Sequence, residues 1–510
     1  MKTSTHRTPS ATLAATSLSS ELSTIAPARS RKADNVRKIT LSKMVCIVSV
    51  FCAATAIISP AQTKFSSLFS FEGTNGANPH YVDLVQGIDG ELYGTTYSGT
   101  GDGGKVFKIT TAGKLTTLYS FCSKGEPCTD GAQPDAGLML ATNGSFYGTT
   151  MNGGADGDGT VFEITSAGKL TTLHSFDSTA GAEPEVGLIQ ATNGNLYGTA
   201  SSGGTGDVGT IFEITPAGTF TSLLSFDGAN GDYPDARLLQ GTNGNFYGTT
   251  YEVSSGDGTV FEITPAGKLT TLHTFHTLDG GGPMGALIQA TNGNFYGTTV
   301  GGGAHLGGGT VFEITPAGKL TTLYSFCSES DCKDGSTPYA GLIQATDGNL
   351  YGTTFSGGAN TTACNGGCGT LIKITTAGKL TTLYNFCAKS NCTDGSSPQG
   401  GLLQDTNGNF YGTTYYGGTD GIGTIFSLSV GLGPFVKALP ASGKVGAAVI
   451  ILGTNLTGTT KVSFNGTEAA FTVVSATEIK TTVPTGASTG SVTVVTPSGT
   501  LKSNVEFRIP

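Results

Sequence analysis

Seven times the chain carries Tyr-Gly-Thr, beginning at Tyr93, Tyr147, Tyr197, Tyr247, Tyr296, Tyr351 and Tyr411, with spacings of 54, 50, 50, 49, 55 and 60 residues. A unit of that length, built from short β-rich runs between glycine turns, cannot bury its own faces and must stack on its neighbours. The chain is thereby restricted to repeat architectures. Glycine supplies 79 of the 510 residues and charged side chains only 12%. Because the glycines recur at fixed places, with Thr, Val, Ile, Phe and Tyr between them, they punctuate strands rather than mark disorder.

Residues 187–226 show one repeat in full. Gly187–Gln190 reads as a short strand, and Asn193-Gly194 as a tight turn whose two central residues need positive φ. Leu196–Thr199 is the second strand. A glycine-rich loop, Ser202–Asp207, leads to the third at Thr210–Thr215, and Pro216-Ala217-Gly218 turns it into a fourth at Phe220–Phe226. Four antiparallel strands with alternating tight and long connections make a propeller blade. The third strand repeats an aromatic at Phe107, Phe162, Phe212, Phe261, Phe312 and Phe426, with Ile372 in the remaining copy, which predicts packing between blades.

The ends of the array predict how it closes. A fourth-strand pattern stands alone at Lys64–Phe71, before the first full repeat, while the last repeat stops after its third strand, Thr424–Leu428. Pairing the two completes the last sheet and removes both open edges. The expected fold is all-β: a seven-bladed β-propeller over residues 62–430, closed by an N-terminal strand and followed over 434–510 by a small Ig-like β-sandwich.

Residues 1–61 differ from the rest. Residues 1–43 hold eight basic and two acidic side chains; an uncharged apolar segment, 44–59, and Ser59-Pro60-Ala61 follow. This is the pattern of a secretory signal peptide with a long basic n-region, the alternative being an uncleaved N-terminal membrane anchor. Its removal takes away 8 − 2 = 6 positive charges, so the net charge falls from −9 to −15. A chain that acidic excludes nucleic acid and anionic membrane surfaces as electrostatic partners. Eight cysteines remain beyond Cys46 and Cys52, in the close pairs Cys122/Cys128, Cys327/Cys332, Cys364/Cys368 and Cys387/Cys392. Even number and local spacing predict four short disulfides and an oxidising compartment, hence an extracellular or cell-surface location.

Tight turns fall on one face of such a ring and long loops on the other, where recognition is expected. The inter-blade loops share Gly-x-x-Pro in all seven copies, from Gly76/Pro79 to Gly395/Pro398, which predicts a fixed turn into each inner strand. Carboxylates gather on the same side, including Asp130, Asp334 and Asp394. Of these loops only Asp156-Gly157-Asp158 has two acids close together, making Asp156 and Asp158 the Ca²⁺ candidates, short of a complete calcium loop. Histidines are scattered, and no nucleophile elbow or phosphate loop stands in a suitable context. No catalytic residue is expected, and no cofactor other than that Ca²⁺. The absence of Trp speaks against quinone-cofactor propellers, whose repeats dock on Trp.

The repeat, through Asn-Gly-Asn-Phe-Tyr-Gly-Thr-Thr (from Asn243) and Gly-Thr-Val-Phe-Glu-Ile-Thr-Pro-Ala-Gly-Lys-Leu-Thr-Thr-Leu (from Gly258), resembles the Gloeo/Verruco (GloVer) tandem repeat of exported bacterial proteins. The C-terminal segment resembles the IPT/TIG domain through Gly453–Leu456, Val462–Gly466, Val483–Ala487 and Gly490–Val494. The first resemblance implies a propeller and export without transferable catalytic residues; the second implies a spacer or binding module. The expected function is a secreted or surface-displayed scaffold that binds an extracellular protein or polysaccharide through its long-loop face. The alternatives are an extracellular propeller enzyme acting on polysaccharide and a structural envelope component.

Overall fold

The computed structural model describes residues 63–101, 103–305 and 307–510; the leader expected over 1–61 lies outside the described residues, as does Asp102. Among the described residues every strand belongs to one of nine four-stranded antiparallel sheets, seven of them built from the repeats. The third sheet is typical: Ile189–Gln190, Leu196–Ala200, Thr210–Ile214 and Phe220–Ser225, paired in sequence order. Its inner strand keeps only two paired residues, fewer than the pattern Gly187–Gln190 predicts.

The seventh sheet contains Leu403–Gln404, Phe410–Thr414 and Thr424–Ser429, and its outer strand is Lys64–Ser70 from the other end of the repeats. Ser66 lies opposite Ser427 and Ser70 opposite Thr424, with Leu68 bulged out between Ser67 and Phe69. The third sheet bulges Leu223 at the equivalent place, between the partners of Ile211 and Phe212. The N-terminal strand therefore reproduces the native fourth-strand geometry, bulge included.

Side-chain packing runs round the cycle without a break. The Phe that follows each outer strand meets the third-strand residue of the next sheet, Ile372 in the case of Phe326 and otherwise a Phe, as in Phe121–Phe162, Phe176–Phe212 and Phe386–Phe426, with centroids 5.1–5.3 Å apart. Phe71–Phe107, at 5.6 Å, makes the same contact between the seventh sheet and the first. The third-strand aromatics are fully buried, as the inter-blade packing reading expects. Edge-to-face pairs of this kind add to the area they bury. The Tyr-Gly-Thr glycine has a steric cause: a Cβ on Gly198 would stand 2.6 Å from Phe212 Cζ.

A polar belt follows the same cycle at the tight turns. The Thr192 N–H donates to Gln240 Oε1 of the next inner strand at 2.9 Å, and the Thr406 N–H reaches Gln86 at 3.3 Å across the closure. All four expected disulfides are present: Cys122–Cys128, Cys327–Cys332, Cys364–Cys368 and Cys387–Cys392.

The last two sheets form a C-terminal unit. One holds Lys437–Leu439, Ala448–Leu452, Glu478–Thr482 and Phe471–Val473; the other holds Thr467–Glu468, Lys461–Phe464, Val492–Thr496 and Gly499–Lys502. Their facing sides share one apolar core around Ile451, Phe464, Ile479, Val494 and Phe507. This unit sits on the tight-turn side. Leu452 joins the cluster of Leu140, with Ile88, Leu439 and Ile450 packed against it. Thr477 Oγ1 donates to the Ile88 carbonyl at 2.8 Å, and the Phe435 N–H to the Thr406 carbonyl at 3.0 Å.

Candidate functional site

Residues in or just before the seven inner strands line a cavity of about 410 Å³. One end is floored by the C-terminal unit, which contributes Lys437 and Asn504 to the lining. Lys437 Nζ donates to the Gln404 carbonyl at 2.6 Å. Burial pushes its ammonium down to about 8, with Asp405 opposing that shift. The C-terminal unit therefore contributes to one end of the cavity, and the Gly-x-x-Pro turns to the other.

The Gly-x-x-Pro turns build that end. Gly131 shows why the glycine recurs: its φ is +102°, and a Cβ would lie 2.5 Å from Thr150 Oγ1. With the turn so constrained, the residue after each proline arrives at the channel mouth. These residues are His80, Asp135, Glu185, Asp235, Met284, Tyr339 and Gln399, and all but His80 and Asp135 line the cavity directly. An invariant turn thus presents a variable side chain, and three adjacent copies present a carboxylate.

Asp135 is paired with His80 Nδ1; burial nonetheless raises its carboxyl above the usual range. Glu185 is pushed up to about 7, first by burial and then by Asp135 and Glu183. Asp235 is raised well above the usual range by burial, then by Glu185, Asp232, Glu183 and Glu252. Asp232 is raised by burial and by Glu252. Like charges crowded into a partly desolvated space account for the whole set. Among the described residues no Lys or Arg pairs with Glu185, Asp232, Asp235 or Glu252; Arg237 faces Asp83 instead, at 3.9 Å. Asp232 Oδ1, Asp235 Oδ1 and Gln399 Oε1 are buried without a hydrogen-bond partner.

Aromatic rings share this end. Tyr81 and Tyr339 lie 5.9 Å apart, Tyr339 and Phe355 5.1 Å, and His80 stands 5.1 Å from Tyr415. Burial raises the Tyr81 phenol, helped by Tyr339, Asp135, Glu185 and Asp235, so it stays a neutral hydrogen-bonding group.

The acids singled out from sequence lie elsewhere. Asp130, Asp334 and Asp394 fold back on their own loops, accepting from the hydroxyls of Tyr119, Tyr324 and Tyr384 at 2.8, 2.8 and 2.5 Å. Asp156 and Asp158 lie on an exposed loop, with Asp158 accepting from Ser178 Oγ. Among the described residues, the groups of three ligand atoms within 4.8 Å are Cys364/Cys368/Cys392 and Cys122/Glu126/Cys128, whose cysteines are all disulfide-bonded. The mouth carboxylates were missed because each falls in a different repeat. Aligning the repeats and asking what varies after the proline finds them.

A family model described as the Gloeobacter/Verrucomicrobia repeat matches the chain three times, over residues 55–254, 139–362 and 240–474. A comparison with curated proteins returns no match. Solved structures with similar folds include the extracellular domain of a hybrid two-component system from B. thetaiotaomicron. It is 13% identical, with TM-score 0.46 over 86% of this chain and 57% of that one, so less than two thirds of its length is spanned. An auxiliary nutrient binding protein from Bacteroides ovatus is 14% identical, with TM-score 0.40 over 72% and 77% of the two chains. A gluconolactonase from Xanthomonas campestris is 11% identical, with TM-score 0.37 over 58% and 89%. Among the described residues no helix is long and apolar enough to cross a membrane.

Proposed function

The chain belongs to the Gloeobacter/Verrucomicrobia repeat family, and from that premise we propose that it is an exported binding protein that engages its partner at the long-loop mouth of a propeller channel. In this reading residues 1–61 are a cleaved leader and residues 62–430 a seven-bladed β-propeller closed by its N-terminal strand. Residues 434–510 are an Ig-like domain of the IPT/TIG kind, and the partner is an extracellular protein or polysaccharide. Four disulfides in loops support an oxidising destination. The single observation that carries the functional reading is the asymmetry of the channel: one end is floored by Lys437 and Asn504, while the other gathers unpaired carboxylates and tyrosines in reach of solvent.

A polysaccharide-cleaving enzyme is the second reading, and Glu185, with its carboxyl at about 7, is the observation in its favour. Two-carboxylate hydrolysis needs one group held protonated beside one held ionised. Here Asp135, Glu185, Asp232 and Asp235 are all raised, which favours binding over that division of labour.

The test is a screen of cell-wall polymers, glycans and surface proteins against residues 62–510, repeated with Tyr339→Ala at the mouth and Lys268→Ala on the tight-turn side. Binding lost with the first and kept with the second is expected. A ligand indifferent to Tyr339, or steady release of reducing sugar, contradicts the proposal.

A further inference from the structure

We propose that the channel mouth binds an organic cation, a primary ammonium or guanidinium group, between the carboxylates of Glu185 and Asp235 and the rings of Tyr81 and Tyr339. The inference rests on the mouth being the binding face and names the chemistry it takes.

The first reason is uncompensated charge. Glu185 and Asp235 line the cavity, Glu183, Asp232 and Glu252 act on Asp235 from beside it, and no described Lys or Arg pairs with Glu185 or Asp235. His80 is engaged with Asp135. Crowded carboxylates without a counter-charge stay neutral or remain repulsive until a cation enters. The second reason is independent of charge. Gln399 lines the cavity at 8% exposure, with Oε1 buried and unpartnered. Buried acceptors without donors are rare, because each forfeits a hydrogen bond. Asp235 Oδ1 is in the same condition. An amide oxygen and an ionised carboxylate only accept, so the complementary ligand brings N–H or O–H donors, and the uncompensated charge selects a cationic N–H group among them.

Two further observations narrow the class. A bare metal ion would require several oxygens converging on one point, yet no mouth carboxylates among the described residues form a trio within 4.8 Å. A charge spread over an ammonium or guanidinium with its own hydrogen bonds suits the wider spacing. Tyr81 and Tyr339 both line the cavity 5.9 Å apart, with Asp135, Glu185 and Asp235 acting on Tyr81, and aromatic rings attract such a cation. A cavity of about 410 Å³ lies within the range of small-ligand sites, enough for an alkyl chain behind the cationic head.

Isothermal titration of the purified protein at pH 8 would use 1,5-diaminopentane and agmatine as probes, with 1,5-pentanediol as the neutral isostere and CaCl₂ as the metal arm. Both amines bind and the diol does not. Asp235→Asn and Glu185→Gln each weaken the amines by roughly tenfold or more, while Asp156→Asn on the exposed loop leaves them unchanged; cooperative melting of all three variants at or above the temperature of the parent shows that the fold is intact. Equal binding of amine and diol overturns the proposal, as does displacement of the amine by Ca²⁺ at the same carboxylates, or amine binding untouched by either mouth variant. If no amine binds but a polymer from the wider screen is lost with Tyr339→Ala, the mouth remains the binding face and the cation assignment alone fails.

Discussion

Replacing Glu185 by glutamine is expected to make the protein more stable at pH 8 and to leave its stability at pH 4 unchanged. The carboxyl titrates near 7 in the folded protein against a reference of 4.5, held up by burial and by Asp135 and Glu183. A group raised on folding carries no penalty below about pH 4.5, where it is protonated in both states. The penalty grows between 4.5 and 7 and is constant above. The rise from 4.5 to about 7 corresponds to roughly 3.5 kcal/mol. Residual contact with water trims this to about 2 kcal/mol. The groups facing Glu185 are Asp135, Glu183, Asp235, His80, Tyr81 and Tyr97, so the window is set by the acids of the mouth and by the His80 beside them. Urea unfolding of both proteins at pH 4, 6 and 8 and constant ionic strength gives the difference from the shift in midpoint. A gain of the same size at pH 4 and 8, or a loss at pH 8, refutes the crowding argument.

Other consequences are equally open to measurement. Leu140→Gln restores the side chain found at the equivalent Gln190 but removes the apolar contact with Leu452; it costs about 2–4 kcal/mol and speeds proteolysis between Val430 and Phe435, followed by gel and mass spectrometry. Gly131→Ala forces a Cβ to 2.5 Å from Thr150 at φ +102°, whereas Gly125→Ala at φ +80° meets nothing within 4 Å. The first lowers the melting temperature more than the second, a comparison that separates crowding from backbone preference.

Much of the architecture is legible in the sequence because its causes are local. The bare Cα of Gly198 under Phe212 and Phe176 against Phe212 are each visible within one repeat; the Asn193-Gly194 turn is visible too, but it differs from the expectation in having positive φ at Gly194 alone (+87°), closed by the Gly194 N–H donating to the Ala191 carbonyl. The closure is legible for the same reason: Lys64–Phe71 is a fourth strand without a sheet, and Thr424–Leu428 a third strand without its partner. The mouth is a different kind of object. Asp135, Glu185 and Asp235 are about 50 residues apart, and only the circular order of the sheets brings them together. Counting acids in loops pointed instead to Asp130, Asp334 and Asp394, whose carboxylates are spent on Tyr hydroxyls and backbone N–H groups. The seat of the C-terminal unit was written as departures from the repeat: Ile88 where the other copies have Thr, Leu140 where they have Gln, and Asp405 where most have Ala. These are the positions that meet Thr477, Leu452 and Lys437.

The two-sided molecule depends on the N-terminal strand completing the seventh sheet. Ser66 and Ser427 are direct partners across that seam, at a spacing a disulfide spans without backbone movement. In Ser66→Cys/Ser427→Cys, mild oxidation followed by non-reducing peptide mapping is expected to recover a peptide joining the two, formed within one molecule, with the native pairs intact. Two free thiols at these positions, or a link only between molecules, contradicts the closed ring and the placement of the mouth with it.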